Sequence, residues 1–170
     1  VFCLVMLLNI FSGLYLEWAL KKTVPSGSDD ERINSPAYKD KEHATAIFEE
    51  FYRTTTSYSP YEAARLEPFS GTTTNIDENG LRVTPRKKRL WVSEPKEERL
   101  IRLFGGSTMW GWGVSEESTI PSLYHSKTGK SVFNFAESGW TSNQSLNQLI
   151  IALGDSYKPK KIVFYDGVNE

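Results

Sequence analysis

Ser107 is the residue of this 170-residue chain best placed to act as a nucleophile. It follows Gly105-Gly106 at the end of the apolar run Leu100-Ile101-Arg102-Leu103-Phe104. Residues without Cβ allow a tight turn that lifts the next side chain clear of a strand. The hydroxyl is then exposed at the carboxyl edge, where open α/β sheets bind ligands. Two more segments reach that edge if the later apolar runs are parallel strands: Glu137-Ser138-Gly139-Trp140-Thr141-Ser142 and Asp166-Gly167-Val168-Asn169-Glu170. Acyl transfer by serine requires an attacking hydroxyl and hydrogen-bond donors for the oxyanion of the tetrahedral intermediate. Ser107 can supply the hydroxyl. Its own N–H, the N–H of Gly139, where a missing side chain leaves room for substrate, and the Asn169 amide can supply the donors.

The elements that must position these groups are legible from residue 98 onward. Leu100 to Phe104, Val132 to Phe135 and Lys161 to Tyr165 read as strands. Between them, Ser118 or Thr119 caps a helix with Pro121 in its first turn and an end near Gly129. Thr141 or Ser142 caps a second helix, with Leu146, Leu149, Ile150 and Leu153 as its apolar stripe and Gly154 as its C-terminal cap. Strand, helix, strand, helix, strand predicts an α/β fold, a parallel sheet with right-handed crossovers and helices on both faces.

Upstream, the chain divides into a membrane helix (1–22), a flexible linker (23–41) and a lead-in region (42–97), ahead of the sheet domain (98–170). Val1 to Leu16 is apolar except for Asn9, Ser12 and Gly13, and Trp18, Lys21 and Lys22 close it, which predicts a transmembrane helix of about 20 residues. On that reading the protein is single-pass in a membrane, with its catalytic domain on the extracytoplasmic side, and its sequence begins within the apolar run. Thr23 to Asp40 is rich in Ser, Pro, Gly and charge and predicts an unstructured tether. Ala44, Ile47, Phe48 and Phe51 recur at helical spacing between Glu42 and Tyr52. Arg53 to Pro85 predicts irregular structure with one hairpin, and Arg86-Lys87-Lys88-Arg89 a solvated loop.

The hydrophobic share of 39% against 24% charged residues describes a globular chain rather than a disordered one, and the net charge of −1 gives no broad pull toward nucleic acid. Cys3 is the only cysteine, so no disulfide forms within the chain. No cofactor and no metal is expected, since the Asp-Gly turn at 166 has no His or Cys nearby.

The order Gly-Gly-Ser-Thr, then a glycine before Trp-Thr-Ser, then Asp-Gly-Val-Asn-Glu resembles the SGNH (GDSL) hydrolase superfamily, over roughly Tyr58 to Glu170. Gly111-Trp112-Gly113-Val114 is similar to a branch in which GGST is followed by GxGV. Tyr61, Arg65 and the stretch from Asn75 to Arg82 are similar to the lead-in of membrane-linked members. The resemblance implies a flavodoxin-like three-layer sandwich, here incomplete. It also implies Ser107 as nucleophile, with Gly139 and Asn169 as oxyanion residues, acting on an acyl ester of a saccharide or lipid. Two departures stand out. Gly106 replaces the aspartate common in the first block, and no Asp-x-x-His block follows the third strand, so the chain alone is expected to be nearly inactive. His125 reads as a structural histidine. Gly154-Asp155-Ser156 spells the first-block tripeptide, but it follows a helix, so Ser156 is a loop residue. Trp110, Trp112 and Trp140 serve either as a wall of the site or as packing. The alternatives to an enzyme are a noncatalytic interaction domain that retains the sheet and a phosphate-binding turn. The latter lacks a Walker lysine and GxGxxG spacing.

Overall fold

The computed structural model describes residues 2–23, 26–84, 101–154, 159–167 and 169. The basic run 86–89, residues 155–158 with Ser156, Val168 and Glu170 lie outside them.

Three apolar runs form one parallel sheet. They are β5 (Ile101–Gly105), β6 (Val132–Asn134) and β7 (Lys161–Tyr165), in the spatial order β6-β5-β7. Ile101 pairs with both Val132 and Lys161, and Gly105 with Tyr165, so the strands end together on one rim. Period-two alternation sorts their side chains to two faces. Ile101, Leu103 and Val132 join one apolar cluster with Met109 and Trp110. Phe104 and Phe135 join another with Ala152 and, at its margin, Phe133 and Leu149. Phe104 stacks on both Phe135 and Phe164, at 5.3 and 5.1 Å between ring centroids.

The helix starts follow the capping chemistry of the sequence. Thr119 caps α4 (Ile120–Thr128), its hydroxyl accepting from the Ser122 N–H, with Pro121 in the first turn and Gly129 left-handed at the C-cap. Thr141 and Gln144 form a capping box at α5 (Ser142–Leu153). The face that α5 buries differs from expectation. Ser145, Gln148 and Ala152 are buried, whereas Leu146, Ile150 and Leu153 are 50%, 62% and 46% exposed. Small residues at 145 and 152 let the helix approach the aromatic layer of the sheet, and a stripe of leucines would hold it away. Gly154 has right-handed angles rather than those of a left-handed cap. Arg102, buried on the same face, donates from Nη1 to the Ala152 carbonyl at the C-terminal end of α5, where helix carbonyls need partners.

The lead-in is more ordered than the sequence indicates. Helix α2 (Lys41–Arg53) forms under an Asp40 cap. Strands β1 (Thr56–Ser59) and β2 (Ala63–Leu66) make one antiparallel pair, and β3 (Phe69–Ser70) and β4 (Asn75–Ile76) another. Leu66 and Ile76 belong to the same buried cluster as Ile101 and Leu103. The segment expected to be an unstructured tether packs on α2 instead. It forms short 3-10 turns at Gly27–Asp29 and Glu31–Asn34, and Ile33 is buried with Ala44 and Phe48. Asp30, held well below the usual carboxylate range by the Arg32 guanidinium and the Tyr52 hydroxyl against the cost of burial, fixes that turn.

Two expectations are corrected. The N-terminal run does form a helix, α1 (Phe2–Thr23), but among the described residues no helix is long and apolar enough to cross a membrane. Asn9, Ser12, Gly13 and Glu17 interrupt its apolar surface. The single-pass membrane assignment falls with it. The architecture is a mixed α/β one, a small three-stranded parallel sheet with two small antiparallel sheets, in place of a three-layer sandwich behind a membrane anchor. The lead-in strands pair as hairpins because the connections between them, residues 60–62 from β1 to β2 and 71–74 from β3 to β4, are far too short for a parallel crossover.

Candidate active site

Strand β5 ends at Gly105, and Ser107 opens the one-turn helix α3 (Ser107–Trp110) with Gly106 as its N-cap. A Cβ on Gly105 would overlap the Tyr165 carbonyl of the neighbouring strand, so only glycine fits there. The turn is held from below by Asn134, whose Nδ2 donates to the carbonyls of Met109 and Trp110 at 3.4 and 3.1 Å. From the side, Arg82 donates to the carbonyls of Gly111, Thr73 and Val114 and to the Thr74 hydroxyl. Arg82 is 1% exposed, and burial lowers its pKa to about 10 although Glu116, Glu117 and Glu50 oppose that shift.

Ser107 is half-buried and lines a cavity of about 130 Å³ together with Gly106, Thr108, Trp140, Tyr165, Asp166, Gly167 and Asn169. Ser107 and Asn169, expected from the sequence to converge, thus share one cavity. Asn169 donates from Nδ2 to the Trp140 carbonyl at 2.7 Å. An amide nitrogen carries two hydrogens, and this bond uses one of them. Gly139 does not line the cavity; its neighbour Trp140 does. It is exposed with φ +82°, and a Cβ there would meet nothing within 4 Å. Glycine at 139 therefore answers a left-handed backbone rather than a shortage of room.

Trp140 forms part of the wall, whereas Trp110 is fully buried and Trp112 meets Phe48 and Phe51 edge to face. Asp166, at the end of β7, accepts from the Ser145 hydroxyl at 2.9 Å. Neither histidine is a lining residue. The His125 ring Nδ1 lies 2.8 Å from the Lys130 carbonyl, and His43 is exposed on α2. Asp40-Lys41-Glu42-His43 spells Asp-x-x-His, but Asp40 spends its carboxylate on the α2 cap.

Sequence reasoning missed Glu137. Its carboxyl is 2% exposed and accepts from the Leu66 N–H at 2.8 Å through Oε1, while Oε2 is buried with no hydrogen-bond partner among the described residues. Burial pushes its pKa up to about 7, with the Arg65 cation opposing and the Glu62 carboxylate adding to the shift. A glutamate three residues past a strand end is a signal only once β2 is known to bond to it. Comparison of the chain with known protein families and with curated proteins returns no match.

Proposed function

We propose that the chain carries the nucleophile and part of the oxyanion site of a serine ester hydrolase or acyltransferase of SGNH type. The substrate class is a small acyl group such as acetyl, ester-linked to a saccharide or lipid. One observation supports this most: Ser107 and Asn169 line one small cavity at the carboxyl edge of a parallel sheet. Ser107 Oγ adds to the ester carbonyl as a general base takes its proton, the Asn169 amide and the N–H of Ser107 stabilise the oxyanion, and collapse of the tetrahedral intermediate expels the alcohol. Removing one such donor costs about a hundredfold to a thousandfold in turnover. The acceptor of the Ser107 proton is the part of the reading that neither His43 nor His125 fills.

That same gap favours a second reading, a binding domain that retains the sheet without catalysis. A fluorophosphonate probe applied to the full-length gene product, with peptide mapping, separates the two. Labelling confined to Ser107 and lost in Ser107→Ala is the expected result. Labelling that persists in Ser107→Ala rejects the nucleophile, and no labelling of the wild type favours the binding domain.

A further inference from the structure

We propose that Glu137 is a positioning residue that fastens the loop carrying Gly139 and Trp140 to strand β2, and so holds one wall of the Ser107 cavity. The inference rests on reading that cavity as an acyl-transfer site. Glu137 bonds to three segments beside the cavity: the end of β5, the loop at Trp140 and strand β2. Its N–H donates to the Gly105 carbonyl at 3.1 Å, one residue before the nucleophile's cap, and its carbonyl accepts from the Trp140 N–H at 3.4 Å. Its side chain accepts from the Leu66 N–H of β2. From the same strand the Ala64 carbonyl accepts from Trp140 Nε1 at 3.3 Å, and the Arg65 guanidinium lies 5.2 Å from the centre of the Trp140 ring. The Trp140 carbonyl in turn holds Asn169. A chain of contacts therefore runs from Leu66 through Glu137 and Trp140 to the carboxamide at the cavity.

The charge on Glu137 sets how firm that fastening is. Among the described residues the charged groups facing it are Arg65 and Glu62, which also pair with each other at 3.4 Å. Ionisation spreads negative charge onto Oε2, which is buried without a hydrogen-bond partner among the described residues, and the protonated acid avoids that cost. The folded state holds this proton up to about pH 7, whereas an unfolded glutamate releases it near 4.5. The raised value gives a definite sign: the favourable contribution is complete below about pH 4.5 and is lost as pH rises toward 7. Glu137→Gln keeps the acceptor for Leu66 and mimics the acid form. Glu137→Ala removes the acceptor.

The test measures denaturant unfolding of the wild type and both variants from pH 5 to 8, with amide exchange at Leu66 and residues 138–141 and the side-chain amide resonance of Asn169. The ratio of the Glu137→Gln to the wild-type folding constant is expected to rise roughly a hundredfold across that range. In Glu137→Ala, exchange at Leu66 and the loop is expected to quicken at least tenfold and the Asn169 resonance to move. A folding-constant ratio that stays within threefold, or unchanged exchange at Leu66 and 138–141, overturns the proposal. If Glu137→Ala does not fold, amide exchange at Leu66 and residues 138–141 in the wild type and Glu137→Gln at pH 8 decides, and equal rates in the two overturn the proposal. None of these readouts requires turnover, so their outcome is separate from whether Ser107 takes the probe.

Discussion

The carboxamide nitrogen of Asn169 lies 2.8 Å from the point a Cβ on Gly106 would occupy, and the Trp140 carbonyl 3.2 Å from it. Glycine at 106 is thus what lets the amide lie against the turn that presents Ser107. This gives the Gly-Gly-Ser order a local reason, since an aspartate at 106 would displace Asn169.

The two glycines of the turn are expected to respond differently to alanine. In Gly106→Ala the nearest obstruction is the end of the Asn169 side chain, which can swing aside, and the Trp140 carbonyl must give by only a few tenths of an ångström. Stability should fall by less than about 1 kcal/mol, while the Asn169 side-chain amide resonance shifts as its bond to Trp140 breaks. In Gly105→Ala the obstruction is the backbone of β7, and the loss should be about 3 kcal/mol or more. Denaturant midpoints of the two variants, compared side by side, check the contrast.

Arg82 should be irreplaceable by lysine. Its fork reaches acceptors on Gly111, Thr73, Thr74 and Val114, and an ammonium cannot span that set. Arg82→Lys is expected to cost about 2 to 4 kcal/mol through carbonyls left buried without donors. Equilibrium unfolding, together with loss of protection at Gly111 and Trp112 in amide exchange, measures it.

Glu50 predicts an acid limb. Burial works to raise its pKa, but the N–H and hydroxyl of Thr72 and Thr73 outweigh it and hold the value down to about 2; the Thr74 N–H donates as well. Because the folded value lies below the ordinary 4.5, this carboxylate stabilises the fold above that pH and loses its contribution as pH falls toward 2. Glu50→Gln should destabilise by on the order of 3 kcal/mol at pH 7 and should flatten the decline between pH 4.5 and 2. A Gln variant whose acid profile matches the wild type would refute the assignment.

On α5, Ile150→Ser should change stability by less than about 0.5 kcal/mol, because that side chain is 62% exposed. Ala152→Leu should cost about 1 to 3 kcal/mol by forcing the helix off Phe104 and Phe135. Thermal melts of the two variants decide which face is the packed one.

That contrast marks where sequence reading succeeded and where it stopped. The runs at 101–105, 132–134 and 161–165 are short, apolar and bounded by turn residues, and Thr119, Thr141 and Pro121 announce their helices by side-chain chemistry alone. These features are local. The face of α5 is not, because it depends on the aromatic layer that Ser145 and Ala152 must approach. The order in the lead-in rests on Glu50, Arg82 and Glu137, charged residues that sequence patterning assigns to solvent. Each is buried only because a distant loop or strand supplies its partners. The shared cavity of Ser107 and Asn169 is legible because parallel strands carry their ends to one rim. That Gly139 lies outside the cavity lining is a matter of loop conformation, which spacing does not reveal.

Leu66 and Ile76 sit in one buried cluster with Ile101 and Leu103, so the division near residue 98, where the regular pattern of strands and helices begins, is a seam in the text and not in the packing. A cassette cut there and moved to another host would carry the turn and the serine but leave an open apolar flank where the hairpins had been. Engineering of this chain must keep the hairpins, the turns at 27–34 and the parallel sheet together.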